Sequence, residues 1–360
     1  MMGMDSSKYG GMEHFNIELA KTLVAKGYKG VFIYETEPAS QAFVEDLKAA
    51  GGEIVILNSR RKPFRFCREF AKLLDEYKPV LVHAHFTKAR FYAIPVARFK
   101  GIKRLFITIH GEMIPKRQIK PHTRLWCAWS NKVAKIIAVS DRIVSVYKAN
   151  WPEAEIRRIY LGVGEVAGNR EQCRAKFAVP EGQILLLTIS NFNHIKGLDV
   201  LCKAVQIVKD KGLMENASLC IVGQPDADKA ELSPLIEALG IADGVRMEGI
   251  SNEVPSYLAA ADVYIQSSRT EGLPLAMMEA ASAALPMVGT KVGGIPEIAR
   301  EGFNGLLVES ENAEMLAEAI ATMLRDENMR RKYGENSLKV YREEFALKSG
   351  VRQTIEYYSV

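Results

Sequence analysis

Short apolar runs alternating with amphipathic stretches constrain the fold of this chain more than any other feature of it. Runs at 31–34, 54–57, 80–83, 104–109 and 135–139 are unbroken and dominated by aliphatic and aromatic residues. Continuous runs this short predict strands buried on both faces, because a strand wetted on one face would alternate polar with apolar residues. The stretches between them, at 14–26, 41–50, 66–77, 88–99 and 124–132, predict helices; in the first, Phe15, Leu19 and Leu23 share one face. After Arg158-Ile159-Tyr160-Leu161-Gly162-Val163-Gly164 the pattern lapses to about residue 180, which reads as a linker. It restarts with Ile184-Leu185-Leu186-Leu187-Thr188-Ile189, and further strands are expected at 218–222, 245–248, 263–265, 287–289 and 305–308. Strands separated by helices build a parallel sheet covered on both sides. Two such series in 360 residues exceed what one core accommodates. The expected fold class is α/β: two Rossmann-like parallel-sheet domains facing across a cleft, at residues 1–164 and 165–335, with a last segment at 336–360.

Composition narrows the function classes. No apolar run reaches the length needed to span a bilayer, and no secretory signal opens the chain. The cysteines Cys67, Cys127, Cys173, Cys202 and Cys220 show neither CxxC nor Cys/His spacing, so they read as reduced thiols in a cytoplasmic protein, with no metal site. Charge divides sharply. Residues 1–164 hold 28 Lys and Arg against 15 Asp and Glu, whereas the remainder holds 20 against 28. Basic residues cluster at Arg60-Arg61-Lys62-Pro63-Phe64-Arg65-Phe66 with Arg68, at 88–104, and at Lys116-Arg117 with Lys120 and Arg124; Trp126 and Trp129 lie beside the last. Cations interleaved with aromatics suit an anionic membrane surface. Nucleic acid would match the charge, but no nucleic-acid motif accompanies it. A solvated basic face is the plainer reading.

Thr270-Glu271-Gly272-Leu273-Pro274-Leu275-Ala276-Met277-Met278-Glu279 carries the chemistry. A Gly- and Pro-bearing turn runs into an Ala/Met stretch that favours helix. Glu271 then lies in the turn and Glu279 about two turns along the helix. Free N–H groups near 272–276 point at whatever docks on the helix start, and a diphosphate suits such a site. Two carboxylates flanking it accept hydrogen bonds from hydroxyls on either side, which matches the layout of a nucleoside diphosphate sugar. The tract is also compatible with a core helix that has a surface Glu at each end.

The tract resembles the Glu-x7-Glu signature of the retaining glycosyltransferases of family 4, which adopt the GT-B fold. Gly293-Gly294-Ile295-Pro296-Glu297-Ile298, Glu301-Gly302-Phe303-Asn304-Gly305, Ile221-Val222-Gly223 and the segment from Ser251 to Val263 are similar to family segments. So are His83-Ala84-His85, Thr108-Ile109-His110-Gly111 and Ile137-Ala138-Val139-Ser140. The resemblance implies a catalytic group of Glu271, Lys196 and His110. It implies donor contacts from Gly10, Gly11, Asn191, Lys196, Gly223, Met247, Glu271, Gly272, Leu273, Pro274, Leu275 and Glu279, and an acceptor side formed by Lys8, His85 and Glu112. Where relatives carry Arg, this chain has Asn191, so the pocket lacks one permanent cation unless Arg269 or Lys8 supplies it. Gly10-Gly11 stands where the family's glycine loop approaches the donor, and two glycines would permit positive φ there. The end of the chain resembles a helix that crosses back to the N-terminal domain.

One departure concerns the start. Family members open with a strand before the glycine loop, and here little more than Met1-Met2-Gly3-Met4 precedes it. The resemblance then implies a sheet whose first strand is missing or very short, or whose slot another segment fills.

The implied activity is transfer of a sugar, with retention, from a nucleotide donor of the UDP class to a hydroxyl of a glycan or lipid-linked acceptor in envelope polysaccharide or lipopolysaccharide synthesis. It would need no metal or other cofactor, would not involve nucleic acid, and would occur in the cytoplasm, with peripheral contact at the inner membrane face. Two alternatives keep the fold: a sugar-nucleotide epimerase, against which the glutamate pair argues, and a non-catalytic subunit that binds a sugar nucleotide.

Overall fold

The computed structural model describes residues 9–57, 63–111, 119–223 and 232–359. The chain divides into two compact units, one holding the residues up to Gly162 with Leu347–Val360, the other Val163–Ala346.

The first unit runs α1 (Gly11–Ala25), β1 (Gly30–Tyr34), α2 (Gln41–Ala49), β2 (Gly52–Ile56), α3 (Pro63–Tyr77), β3 (Val82–His85), α4 (Phe86–Phe99), β4 (Leu105–Ile109), α5 (Pro121–Val133), β5 (Lys135–Ala138), α6 (Asp141–Asn150) and β6 (Ile156–Arg158). Its strands pair in parallel as two sheets, β1-β2 and β3-β4-β5-β6. Leu105, Phe106, Ile107, Ile136 and Ile137 are buried on both faces, which is why those runs are continuously apolar. Phe66, Phe70 and Leu74 of α3 pack with Ala93, Ile94 and Ala97 of α4 over Ala84 and Ile107.

Three features bear on the sequence expectations, the first as a shift, the second as an omission and the third in line with a missing first strand. The strand anticipated at 80–83 starts at Val82, whose N–H makes the first ladder bond, to the Arg104 carbonyl at 3.0 Å. Helix α6 and strand β6 were not legible as separate elements, because β6 is Ile156-Arg157-Arg158 and carries no apolar run. No strand among the described residues pairs with both β1 and β3; the two flank an apolar cavity lined by Phe32, Ile33, Phe70, Leu74, Val82 and Tyr358.

The second unit holds α7 (Arg170–Lys176), β7 (Ile184–Ile189), α8 (Leu198–Asp210), β8 (Ala217–Val222), α9 (Leu232–Ala238), β9 (Val245–Glu248), α10 (Val254–Ala260), β10 (Val263–Gln266), α11 (Leu275–Ser282), β11 (Met287–Thr290), α12 (Ile295–Ile298), β12 (Gly305–Val308), α13 (Ala313–Arg325) and α14 (Glu327–Val340). Helix α7 occupies part of the stretch read as a linker; the Asn169 side chain caps it by accepting from the Gln172 N–H at 3.0 Å. Six parallel strands lie in the order β12-β11-β10-β7-β8-β9. The order reverses at β7, and such a reversal opens a crevice beyond the carboxyl ends of the two strands that flank it, here β7 and β10. Leu186, Leu219, Ile221, Val263 and Ile265 share a core with Leu201 and Val205 of α8 and Leu316 and Ile320 of α13.

The chain passes between units later than residue 336. Ser337, Tyr341 and Phe345 are buried. The Tyr341 hydroxyl donates to the Val163 carbonyl at 3.1 Å, which keeps this stretch in the second unit. Only α15 (Leu347–Tyr358) belongs to the first, where it packs on α1.

Candidate functional site

Glu271 stands in the loop that leaves β10, and Lys196 in the loop that leaves β7, the strands on either side of the reversal. The Lys196 Nζ donates to Glu271 Oε1 at 2.7 Å. The same oxygen accepts from Ser268 Oγ at 2.7 Å and from Gln266 Nε2 at 3.2 Å. Three donors therefore converge on one carboxylate oxygen, and among the described residues no hydrogen bond reaches the other. Two glycines make this meeting of loops sterically feasible. A Cβ on Gly197 (φ +62°) would lie 2.1 Å from the Ser267 carbonyl oxygen, and one on Gly293 (φ +55°) would lie 1.9 Å from that of Glu271.

Helix α11 begins at Leu275, after Pro274. Glu279 is thus just over one turn into the helix, closer to its start than the two turns expected. The reason is that Gly272 and Leu273 belong to the turn, whose Gly272 carbonyl accepts from the Gly294 N–H at 3.0 Å. Pro274 has no N–H, and its carbonyl takes those of Met277 and Met278 at 3.1 and 3.3 Å. The N–H groups of Leu275 and Ala276 remain at the helix start without an intrahelical acceptor. Glu279 contrasts with Glu271: among the described residues nothing donates to its carboxyl, and burial pushes its pKa up to about 7.

Arg269 does not supply a free cation. Its guanidinium holds Asp199 through two bonds, at 2.7 and 2.8 Å, and also engages Glu311 and the His194 carbonyl. This pairing lowers the Asp199 carboxyl below its usual range. Asn191 is exposed after β7, and Gly223 directly follows β8 with its N–H on the Glu248 carbonyl at 3.2 Å. Met247 packs against the core from β9, the outer strand two positions from β7.

In the first unit, Gly10 caps α1 with φ −131°, and neither Gly10 nor Gly11 has a positive φ. The Gly10 N–H is taken by the Glu13 carboxylate at 3.1 Å, so the freedom to adopt positive φ is not used and the loop enters a capped helix start. His83 and His85 do share one face, with ring centroids 4.1 Å apart. His83 is held by the Tyr358 hydroxyl and by Thr108 Oγ1. His85 Nδ1 lies 2.9 Å from His110 Nε2. Burial lowers all three imidazoles, His110 to about 4, so they are neutral near pH 7. Lys8 and Glu112 lie outside the described residues, as do Arg60, Arg61, Lys62, Lys116 and Arg117.

Phe64 is 90% exposed and Trp129 37% exposed, but Phe66 is 4% exposed and stacks on Phe70, so it belongs to the core. Trp126 is half-buried and stacks on Trp129 at 4.7 Å. Among the described residues no helix is long and apolar enough to cross a membrane, and no cluster of three His, Cys, Asp or Glu is arranged to hold a metal. Sequence reasoning missed Gln266 and Ser268. The signal available was a polar run, Gln266-Ser267-Ser268, closing an otherwise apolar strand.

Comparison with known proteins follows the same division. The family model for glycosyltransferase family 4 matches residues 9–164, and that for glycosyl transferases group 1 matches residues 169–340. The chain is 27% identical over 293 residues to N-acetyl-alpha-D-glucosaminyl L-malate synthase of Bacillus anthracis, covering 77% of this chain and 74% of that one. It is 28% identical over 269 residues to D-inositol 3-phosphate glycosyltransferase 1 of Catenulispora acidiphila, covering 68% and 64%. The structure of Anabaena Alr3699/HepE in complex with UDP and glucose superposes with a TM-score of 0.85 at 20% identity, over 99% of this chain and 98% of that one. Two parallel-sheet units, a glutamate pair beside the strand-order reversal and family models spanning both units converge: the chain belongs to glycosyltransferase family 4 and has the GT-B fold.

Proposed function

We propose that the protein is a retaining glycosyltransferase that moves a sugar from a nucleoside diphosphate donor of the UDP class to a hydroxyl of a glycan or lipid-linked acceptor in envelope polysaccharide synthesis. The observation that carries this is the unequal treatment of the two signature carboxylates. Glu271 is pinned by three donors on one oxygen, whereas among the described residues nothing donates to Glu279, near a helix start whose first N–H groups have no intrahelical acceptor. The structural neighbour crystallised with UDP and glucose supports the donor class.

In this reading the Leu275 and Ala276 N–H groups receive the diphosphate, Glu279 accepts from the ribose and Glu271 Oε2 accepts from the sugar. Lys196 has three ammonium hydrogens and spends one on Glu271, leaving two for the leaving diphosphate. The acceptor hydroxyl attacks from the face the diphosphate leaves, the C–O bond to phosphate breaks, and a departing phosphate oxygen takes the hydroxyl proton. Positioning and charge stabilisation then supply the rate enhancement, and no metal is required. His110, near the end of β4, positions the sugar. The protein works in the cytoplasm and meets the inner membrane face through the basic first unit.

The test is a mass-spectrometric assay of the purified protein with a panel of nucleotide sugars and an envelope lipid extract, with and without chelator. Transfer with retained anomeric configuration, unaffected by chelator, is expected. An epimerised free donor, or binding without turnover, would overturn the reading.

A further inference from the structure

Gln266 is 2% exposed at the end of β10, beside Val263 and Ile265, where an apolar side chain would pack at no cost in polar desolvation. Its amide orientation is determined by what it touches. A carboxylate only accepts, so Nε2 must face Glu271 Oε1 at 3.2 Å, and Oε1 then faces the Tyr264 hydroxyl at 3.0 Å. The same Nε2 donates to Ser268 Oγ at 2.8 Å, and Ser268 Oγ donates onward to Glu271 Oε1 at 2.7 Å. Ser268 is itself anchored, because its carbonyl accepts from Thr290 Oγ1 at 2.7 Å. A buried relay, Tyr264 to Gln266 to Ser268, thus ends on one oxygen of Glu271.

We propose that Gln266, directly and through Ser268, is a positioning residue that keeps Glu271 Oε2 turned to the donor sugar while the Lys196 ammonium turns to the diphosphate. This rests on the glycosyl-transfer reading above. A lysine is a flexible point charge, and a phosphate competes for it. The Gln266 amide and Ser268 hydroxyl are neutral and buried at 2% and 0% exposure, so no anion competes for them. They hold the carboxylate whichever partner Lys196 takes.

The experiment uses Gln266→Leu, Gln266→Glu and Ser268→Ala, with UDP affinity by calorimetry, kcat and KM for the donor, and Tm. Gln266→Leu and Ser268→Ala should leave UDP affinity within twofold and lower kcat between tenfold and about a hundredfold, the scale of a misplaced reacting group. Among the described residues the titratable groups around this amide are Tyr264, Glu271, through Glu271 Lys196, and Glu279, whose charge acts on Tyr264. Gln266→Glu sets a second carboxyl against Glu271, so the acid limb of kcat should move up by about one pH unit or more. A purely structural role would move Tm without moving that limb. Full kcat in Ser268→Ala or Gln266→Leu, or UDP affinity falling in step with kcat, would overturn the proposal alone. A wild-type protein that turns over no nucleotide sugar would overturn the glycosyl-transfer reading and this proposal with it.

Discussion

The Lys196 ammonium and the Glu271 carboxylate meet at 2.7 Å across the point where the strand order of one sheet reverses. Neither side chain is freely solvated: 21% of Lys196 and 9% of Glu271 is exposed. In the proposed transfer this cation is the one that meets the charge developing on the departing diphosphate. Lys196→Ala should therefore lower turnover at saturating donor by about 10²–10³-fold. Arg269 cannot substitute, being bound to Asp199 and Glu311. Near-normal turnover in Lys196→Ala would remove the cation from the mechanism.

If Glu279 holds the ribose as proposed, nucleotide binding and stability should depend on pH in opposite senses. Its folded pKa of about 7 lies above the unfolded value of about 4.3, so between the two the folded state binds the extra proton. Stability contributed by Glu279 is present at low pH and lost as pH rises toward 7. Affinity for a ribose hydroxyl, which the carboxylate accepts, rises over pH 6 to 8. Glu279→Gln should flatten both trends and raise Tm at pH 8 relative to wild type. Calorimetric titration of UDP at pH 6 and 8 checks the binding half, and an unchanged pH trend in the variant sinks the assignment. Glu271→Ala, in contrast, should retain UDP binding and lose turnover.

Gly293→Ala should uncouple the Glu271 turn from the rest of the site. An added Cβ would lie 1.9 Å from the Glu271 carbonyl oxygen, at a φ that an alanine disfavours. Displacing Glu271 by about 1 Å should cost on the order of 10²-fold in kcat. Comparison of kcat with UDP affinity and Tm is the check, and an alanine variant with wild-type kcat would show that the turn accommodates the methyl group.

Vesicle co-sedimentation tests the membrane contact. Binding to anionic vesicles should exceed binding to neutral ones at low salt and fade as salt rises, since screening shortens to about 3 Å at 1 M. Phe64→Ser and Trp129→Ser should weaken it, whereas Phe66, being buried, would alter folding instead. Equal retention on neutral and anionic vesicles would reduce the basic half to a solvated face.

Much of this protein was legible in its amino-acid order. The run Ile184–Ile189 predicted β7 to the residue, because a strand buried on both faces has to be apolar throughout. The Glu271/Glu279 spacing marked the candidate site because a turn entering a helix leaves N–H groups without intrahelical acceptors whatever else surrounds it. What the sequence could not determine were interactions between residues far apart in the chain. That Lys196 meets Glu271 depends on β7 and β10 becoming neighbours, and that Arg269 is spent on Asp199 and Glu311 depends on two loops converging on the first turn of α8. Phe64 and Phe66 are two residues apart in one motif, yet one faces water and the other the core, because α3 turns only one of its faces to α4. Gln266 reads locally as an ordinary polar residue closing a strand. Only the fold brings Tyr264, Ser268 and Glu271 around its amide, and a buried amide acquires its meaning from the partners that satisfy it.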